Sequence, residues 1–69
     1  MNTQQVIGAR IRALREGKGL TRAALGLRID ANPMTIYRWE RGGAAAREDF
    51  LFRLLKELGV TIGQLYKGL

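Results

Sequence analysis

The apolar residues of the chain follow a helical period. They recur at steps of three and four between short breaks, which places them on one face of a helix. The chain has no sustained alternation of apolar and polar residues and no Asn-Gly or Asp-Gly hairpin turn. The pattern therefore predicts an all-α fold, a compact bundle of five helices in a single domain over residues 1–69.

Three of the predicted helices lie outside the central part of the chain. The first spans about residues 4–15 and the fourth about residues 47–58, each with an apolar stripe. Gly59 supplies the left-handed residue that ends the fourth helix, and Thr61 can cap a short fifth one. The apolar residues of this fifth helix and the tail behind it are Ile62, Leu65, Tyr66 and Leu69.

The second and third helices are short and are joined by a tight turn. Thr21 is placed to cap the second helix, and residues 30–31 form the turn. Asn32 can cap the third helix, and Pro33 takes its first position, where a missing N–H costs nothing. The third helix ends at glycines 42–43. Two short helices joined in this way predict a helix-turn-helix.

Composition excludes several classes of function. The chain has neither cysteine nor histidine, which rules out disulfides, thiolate metal sites, thiol nucleophiles and histidine as a base at neutral pH. Its six carboxylates are scattered among basic residues. We therefore expect no catalytic residue, no metal and no cofactor. No apolar run is long enough to cross a bilayer and the start lacks a secretory signal, so we expect a cytoplasmic protein.

Positive charge is concentrated in the first two thirds of the chain. Twelve Lys and Arg against six Asp and Glu give a net charge of +6. Nine of these basic residues and three of the acidic ones lie within residues 1–47, so this part carries the whole excess. The imbalance suggests a polyanion-binding surface in the first part and a different role at the C-terminal end. By itself, such an imbalance fits simple solubility as well, so it needs support from the sequence pattern.

A helix-turn-helix with this charge is suited to DNA. A helix fits the major groove, where each base pair shows a distinct pattern of donors and acceptors. The N-terminal end of the third helix would enter first, because its free N–H groups and positive dipole end favour phosphate. That end comprises residues 32–35, with residues 37–38 one turn later. Residues 21–22, at the start of the second helix, suit the flanking DNA backbone.

Four sequence blocks, taken in their order and spacing, indicate the family to which the chain is similar. They are residues 7–15 (IGARIRALR), 19–21 (GLT), 36–42 (IYRWERG) and 54–61 (LLKELGVT), followed by Leu65. In this order and spacing, they resemble the Cro/phage-repressor type (lambda repressor-like, XRE-type) of helix-turn-helix DNA-binding family. The resemblance covers residues 7–66 and implies a compact five-helix domain with the helix-turn-helix at helices two and three.

The resemblance and the groove geometry assign roles to individual residues. The residues expected at the bases are Asn32, Pro33, Met34 and Arg38. Those expected at the sugar-phosphate backbone are Thr21, Arg22, Thr35, Tyr37, Arg41 and Arg47. The resemblance further implies that Arg15 and Glu40 form a structural ion pair between the first helix and the end of the third.

The chain departs from the family's usual residues at several of these positions. The family often has Gln where Arg22 stands, Ala where Gly26 stands and Gly where Asp30 stands. Asp tolerates the left-handed conformation better than most residues, so we expect the turn to survive. Pro33 and Met34 replace positions that are often polar, which favours contact with thymine methyl groups over hydrogen-bonded readout.

Several assigned residues also have a simpler interpretation. Asn32 is foremost an N-cap, and Trp39 is expected in the core. Met34 fits a groove contact and an exposed methionine equally well. Tyr37 could simply pack on the surface. Arg38 could be a solvated arginine, but we favour a base contact because arginine to guanine is the commonest specific contact.

The C-terminal end has more apolar residues than a short closing helix needs. We expect part of this surface to close the core and part to form a two-fold dimer contact. One recognition helix buries too little surface for tight specific binding, so two half-sites one helical turn apart favour a homodimer. The residues assigned to this contact are Ile62, Leu65, Tyr66 and Leu69.

The sequence thus predicts a regulator that binds specific double-stranded DNA, acting as a repressor or autoregulator on a palindromic operator. It does not separate phage repressors, restriction-modification controllers and antitoxins. The alternative is an antitoxin or adaptor that uses the same fold mainly to hold a protein partner. RNA binding is disfavoured, because the A-form major groove is too narrow for a helix.

Overall fold

The computed structural model describes residues 1–69 and contains helices but no strand. The helices are α1 (Thr3–Gly17), α2 (Arg22–Ile29), α3 (Pro33–Arg41), α4 (Glu48–Leu58) and α5 (Ile62–Leu65). α1 packs mainly on α3, α2 packs on α3 and α4, and α5 packs on α1. The prediction of a five-helix all-α fold is confirmed. None of the helices has the length and apolar character needed to span a membrane.

α1 begins one residue before the predicted start at about residue 4 and ends at Gly17, the first residue of the Gly17-Lys18-Gly19 segment that we expected to end it. The Asn2 side-chain oxygen accepts from the Gln5 N–H at 2.9 Å, and the Gln5 side-chain oxygen accepts from the Asn2 N–H at 2.9 Å. This reciprocal pair is a capping box, which satisfies two N–H groups that the helix leaves free. At the other end, the Lys18 N–H reaches the carbonyls of Arg15 and Glu16. The side-chain capping box therefore sets the start of the helix, and backbone hydrogen bonds around Gly19, which has φ of 69°, set its end.

The helix-turn-helix is held by the caps that its sequence predicts. Thr21 Oγ1 accepts from the Ala24 N–H at 3.0 Å at the start of α2. Asn32 Oδ1 accepts from the Met34 N–H at 2.8 Å at the start of α3. Asp30 ends α2 in the left-handed conformation, with φ of 60°. The expectation that the turn survives with Asp at position 30 is therefore confirmed.

One hydrophobic cluster joins the five helices. Ile36 and Trp39 lie in it, as expected from their spacing. Leu65 is also part of it and is only 1% exposed. Its assignment to a dimer contact is therefore corrected, because a side chain enclosed by its own core offers no surface to a second chain. The ten buried members are Ile7, Ile11, Leu25, Ile29, Ile36, Trp39, Leu54, Leu55, Leu58 and Leu65.

Two arginines on the outer face of α1 are engaged within the domain. Arg10 Nη1 donates to the carbonyl oxygens of Leu65 and Lys67, each at 2.8 Å. A cation at the carboxyl end of a helix is favourable, so Arg10 helps to hold the short α5 on α1. Arg12 forms an exposed pair with Glu16 at 3.4 Å.

α1 and α3 cross closely at Gly8. A β-carbon at this position would overlap the backbone carbonyls of Trp39 and Glu40. Backbone atoms cannot move aside as the end of a flexible side chain can. The crossing therefore requires glycine, and it brings the start of α1 against the last turn of α3.

Gly8→Ala is expected to lower the free energy of unfolding by about 1–2 kcal/mol, because overlap with rigid backbone outweighs the gain in helix propensity. Gly17→Ala is the matched control in the same helix, since a β-carbon there meets nothing within 4 Å. It is expected to raise stability by about 0.5 kcal/mol. Thermal unfolding followed by circular dichroism compares the two variants. Equal effects would contradict the close crossing.

Candidate nucleic-acid interface

α3 has an exposed face opposite its buried one. Ile36 and Trp39 are buried, whereas Met34, Arg38 and Arg41 are exposed and recur at steps of four and three. Residues at this spacing share one side of a helix. The outer side of α3 therefore presents an unbranched apolar side chain near its start and two arginines behind it.

The N-terminal end of α3 is open to solvent. Asn32, Pro33 and Met34 are all exposed, and Met34 keeps 55% of its surface accessible. The cap uses the side-chain oxygen of Asn32, which leaves its NH2 group free to donate elsewhere. Thr35 is half-buried beside them. This end of the helix can approach a partner without rearranging the fold.

Glu40 is a buried carboxylate at the end of α3, paired with Arg15 from α1. Arg15 Nε donates to Oε2 at 2.7 Å and Nη2 donates to Oε1 at 3.1 Å. Arg15 is 6% exposed and Glu40 is 7% exposed. The hydrogen bonds from Arg15 to Glu40 raise the pKa of the Arg15 guanidinium, against the opposing effect of burial. The pair ties α1 to the end of the presented helix.

Arg22 also bonds to Glu40, a contact that the sequence did not predict. Its Nε donates to Glu40 Oε1 at 2.9 Å, and its side chain is 31% exposed. Glu40 therefore faces two guanidinium groups, and the cluster keeps an excess of positive charge. The contact joins residues 18 positions apart on different helices, so periodicity could not have revealed it. Because Glu40 uses only Nε, the two terminal NH2 groups of Arg22 can serve another anion.

Tyr37 lies against both Arg22 and Arg41. The guanidinium carbon of Arg22 is 4.9 Å from the centre of the ring, and that of Arg41 is 5.5 Å away. Arg41 Nη1 also donates to the Tyr37 hydroxyl oxygen at 3.1 Å. These distances are typical of cation–π contacts. The ring thus gathers two arginines that would otherwise repel each other, an arrangement that suits a shared anion.

A cleft lies between α3 and the loop that precedes α4. It encloses about 350 Å³, and its polar lining includes Asn32, Thr35, Arg38 and Arg47. The guanidinium carbon of Arg47 is 5.5 Å from the centre of the Phe50 ring, at the start of α4. The structure therefore brings residues expected at the bases and residues expected at the DNA backbone onto one cleft.

The chemistry of this surface is that of arginines with amide and hydroxyl groups. No group of three or more His, Cys, Asp or Glu side chains could hold a metal ion. The exposed face of α3 carries two arginines and no exposed carboxylate. Such a surface is suited to the phosphates of a polyanion.

Three of the residues assigned to a dimer contact are exposed. Ile62 keeps 47% of its surface accessible, Tyr66 38% and Leu69 55%. They lie in α5 and the tail behind it, outside the helix-turn-helix. This apolar surface is thus separate from the cationic face, the surface formed by Arg22, Arg38, Arg41 and Arg47.

Comparison with known proteins agrees with this geometry. The family profile described as Helix-turn-helix (HTH_3) matches residues 11–65. No curated protein matches the sequence. The crystal structure of the clp gene regulator ClgR from C. glutamicum is similar, with a TM-score of 0.86 and 23% identity. The match covers 96% of this chain and 85% of that chain, and it shows a shared fold.

The matched residues include the whole of α2, the turn and α3. This match points to a DNA-binding regulator and not to an enzyme. This protein belongs to the XRE/lambda repressor-like helix-turn-helix family of DNA-binding transcription regulators.

Proposed function

We propose that this protein is a repressor or autoregulator that binds a palindromic operator as a homodimer, with α3 in the major groove. It would act in the cytoplasm of a bacterial or phage-infected cell, associated with the nucleoid. One observation carries the proposal: the outer side of α3, open at its N-terminal end, is bordered by arginines of which only Arg22 pairs with a carboxylate. Those arginines are Arg22, Arg38, Arg41 and Arg47.

The exposed start of α3 would recognise the base sequence of the DNA. Arg38 can donate two hydrogen bonds to guanine O6 and N7, the commonest specific contact in the major groove. The free NH2 group of Asn32 can donate to a base or to a nearby phosphate. Pro33 and Met34 offer apolar surface, which favours the methyl group of thymine. We thus expect a half-site that contains both a G·C pair and an A·T pair.

Phosphates of the DNA backbone would be held along the outer side of α3 and across the cleft beside it. Arg22 and Arg41, gathered on the Tyr37 ring, would share one phosphate. Thr21 and Thr35 lie at the starts of α2 and α3 and would contact the same strand. Arg47, on the far side of the cleft, would reach the opposite strand. Such contacts position the helix and do not select sequence.

A two-fold dimer would double the surface that contacts DNA. Ile62, Tyr66 and Leu69 are the exposed apolar residues outside the cationic face that we assign to it. In a two-fold contact the same patch of each chain meets itself, so the two recognition helices are related by the same axis. An operator with that symmetry is a palindrome.

Selection from random duplex DNA tests the proposal, with the enriched sites retested by fluorescence anisotropy between about 50 mM and about 200 mM salt. An inverted repeat with half-site centres about 10 base pairs apart would support both the operator and the dimer. A single short site would contradict the dimer. No enrichment, with only salt-sensitive binding, would contradict specific recognition and favour the antitoxin or adaptor alternative.

The direction of regulation needs a separate measurement. Expression of a reporter gene downstream of the selected site should fall when the protein is produced. A rise would contradict repression while leaving specific binding in place.

Arg41→Ala is expected to weaken binding to every duplex alike and to reduce the slope of log affinity against log salt by about 1. Arg41 is exposed and contacts no carboxylate, so its loss should not disturb the fold. Lys56→Ala, which removes one positive charge from the last turn of α4, is the matched control. Equal losses in both variants would mean that net charge alone matters and that Arg41 touches no phosphate.

A further inference from the structure

A groove between α1, α5 and the turn after α4 plays no part in the proposed DNA contact. It encloses about 560 Å³, and none of its lining residues belongs to α2 or α3. Its floor is apolar. The residues that define it are Arg10, Ala13, Leu14, Lys18, Val60 and Leu65, and we refer to it as the α1–α5 groove.

The α1–α5 groove is positively charged along its rim. Arg10 and Lys18 line it eight positions apart, a separation of about 12 Å along a helix. Neither side chain forms a salt bridge, and no Asp or Glu lines the groove. Apolar floor and cationic rim together fit an apolar group that has carboxylates beside it.

The chain has only a few carboxylates that are not already paired. Three of its six acidic residues, Glu16, Glu40 and Glu57, form salt bridges with arginines. Of the remaining three, Glu48 and Asp49 are adjacent and exposed in the first turn of α4. They are the only pair of neighbouring carboxylates in the sequence.

These two carboxylates stand beside the most exposed aromatic side chain of the protein. Phe52 keeps 63% of its surface accessible, against 38% for Tyr66. It follows Asp49 by three positions and Glu48 by four, so the three side chains share one face of α4. We call this face the acidic Phe52 knob. It is an apolar group with carboxylates beside it.

We propose that the acidic Phe52 knob of one copy docks in the α1–α5 groove of a second copy. The Phe52 ring would cover the apolar floor, and the carboxylates of Glu48 and Asp49 would face Arg10 and Lys18. The two surfaces complement each other in charge, and neither has an ion pair within its own chain, since Arg10 donates only to the carbonyl oxygens of Leu65 and Lys67.

This contact joins two different patches, so it is head-to-tail and can repeat from copy to copy. It involves residues outside α2 and α3, which leaves Arg22, Arg38 and Arg41 of every copy open, whereas Arg47 lies beside the knob. Copies on neighbouring DNA sites could therefore support one another, in addition to the two-fold contact proposed above. The inference itself does not depend on DNA binding, and it is tested without DNA.

The test uses two variants that each destroy one half of the contact. Phe52→Ser removes the knob, and Ala13→Glu places a carboxylate in the groove; both positions are exposed, so both variants should fold. All chains also carry Ile62→Ser, which removes the proposed two-fold contact. Self-association is measured by sedimentation velocity between about 10 µM and about 1 mM, the range in which small transient interfaces dissociate.

The parent chain should form oligomers larger than dimers as concentration rises. Each variant alone should associate at least about tenfold more weakly, since a buried aromatic anchor or its pocket is lost. A mixture of the two variants should form one-to-one pairs and stop there, because each pair retains a single intact knob and groove. Leu27→Ser, which alters an 88% exposed leucine on α2, is the control and should associate like the parent.

Three results would overturn the proposal. One is a parent chain that stays monomeric throughout this range. Another is a pair of variants that each associate as strongly as the parent. The third is a mixture that associates no better than its components, which would exclude a head-to-tail contact even if Phe52 proved necessary.

Discussion

Glu40→Ala is expected to lower the free energy of unfolding by about 3–5 kcal/mol, as is typical when one partner of a buried ion pair is removed. Glu40 is 7% exposed and is the only carboxylate that forms a salt bridge with Arg15 or Arg22. Without it, the buried Arg15 keeps its charge and loses two hydrogen bonds. A domain of this size has little stability in reserve, so the variant should be largely unfolded near body temperature.

Urea and thermal unfolding measure this loss, with Glu57→Ala as the matched control. Glu57 pairs with Arg28 at 3.4 Å on the surface, where the Arg28 side chain is 56% exposed. Such a pair contributes no more than about 1 kcal/mol. A Glu40→Ala variant as stable as Glu57→Ala would show that the Glu40 cluster does not hold α1 and α2 on α3.

The pH dependence of this cluster follows from the raised pKa of Arg15. A group whose pKa is higher in the folded state makes its full contribution to the free energy of unfolding at any pH below its unfolded pKa. The stabilisation is lost only as pH rises through the folded value. For an arginine, both values lie far above neutrality. Titration of Arg15 should therefore cause no loss of stability between neutral and moderately alkaline pH.

Arg38→Ala is expected to relax the preference at one base pair of each half-site by about 1–3 kcal/mol, or about 5- to 150-fold in affinity ratio. Arg38 is exposed on the outer face of α3 and makes no salt bridge, so its loss should leave the fold intact. The effect should appear as similar affinities for the selected site and for its single-base variants at that position.

Competition binding with a panel of single-base variants of the selected site measures this change. Arg28→Ala is the control, because it also replaces an exposed arginine of the helix-turn-helix but lies at the far end of α2, paired with Glu57. It should preserve every preference. If Arg38→Ala also preserves them all, Arg38 does not enter the groove as proposed.

Much of the fold could be predicted because its signals are local. Apolar spacing of three and four indicated five helices, and short polar caps marked where α2 and α3 begin. Thr21 and Asn32 accept the N–H bonds that their positions implied. The start of α1 lies one residue before the predicted one, and the cause is also local, because the Asn2 capping box lies outside the apolar stripe.

The candidate site was less completely predicted. Spacing along α3 identified the residues of its exposed face, because helical geometry alone places Met34, Arg38 and Arg41 on one side. The ion pair of Arg15 with Glu40 was implied only by the family resemblance. The bond from Arg22 to Glu40 and the stacking of Arg22 on Tyr37 had no signal in the sequence, since they depend on how α2 sits beside α3.

The helices, their caps and the exposed face of α3 could be predicted from local sequence, because each depends on residues a few positions apart, and the concentration of positive charge could be counted directly. The contacts between helices depend on tertiary packing. It placed Leu65 in the core, required glycine at position 8 and turned Arg10 onto the end of α5. These contacts join residues far apart in sequence, and their distances are set by the packing of the whole domain.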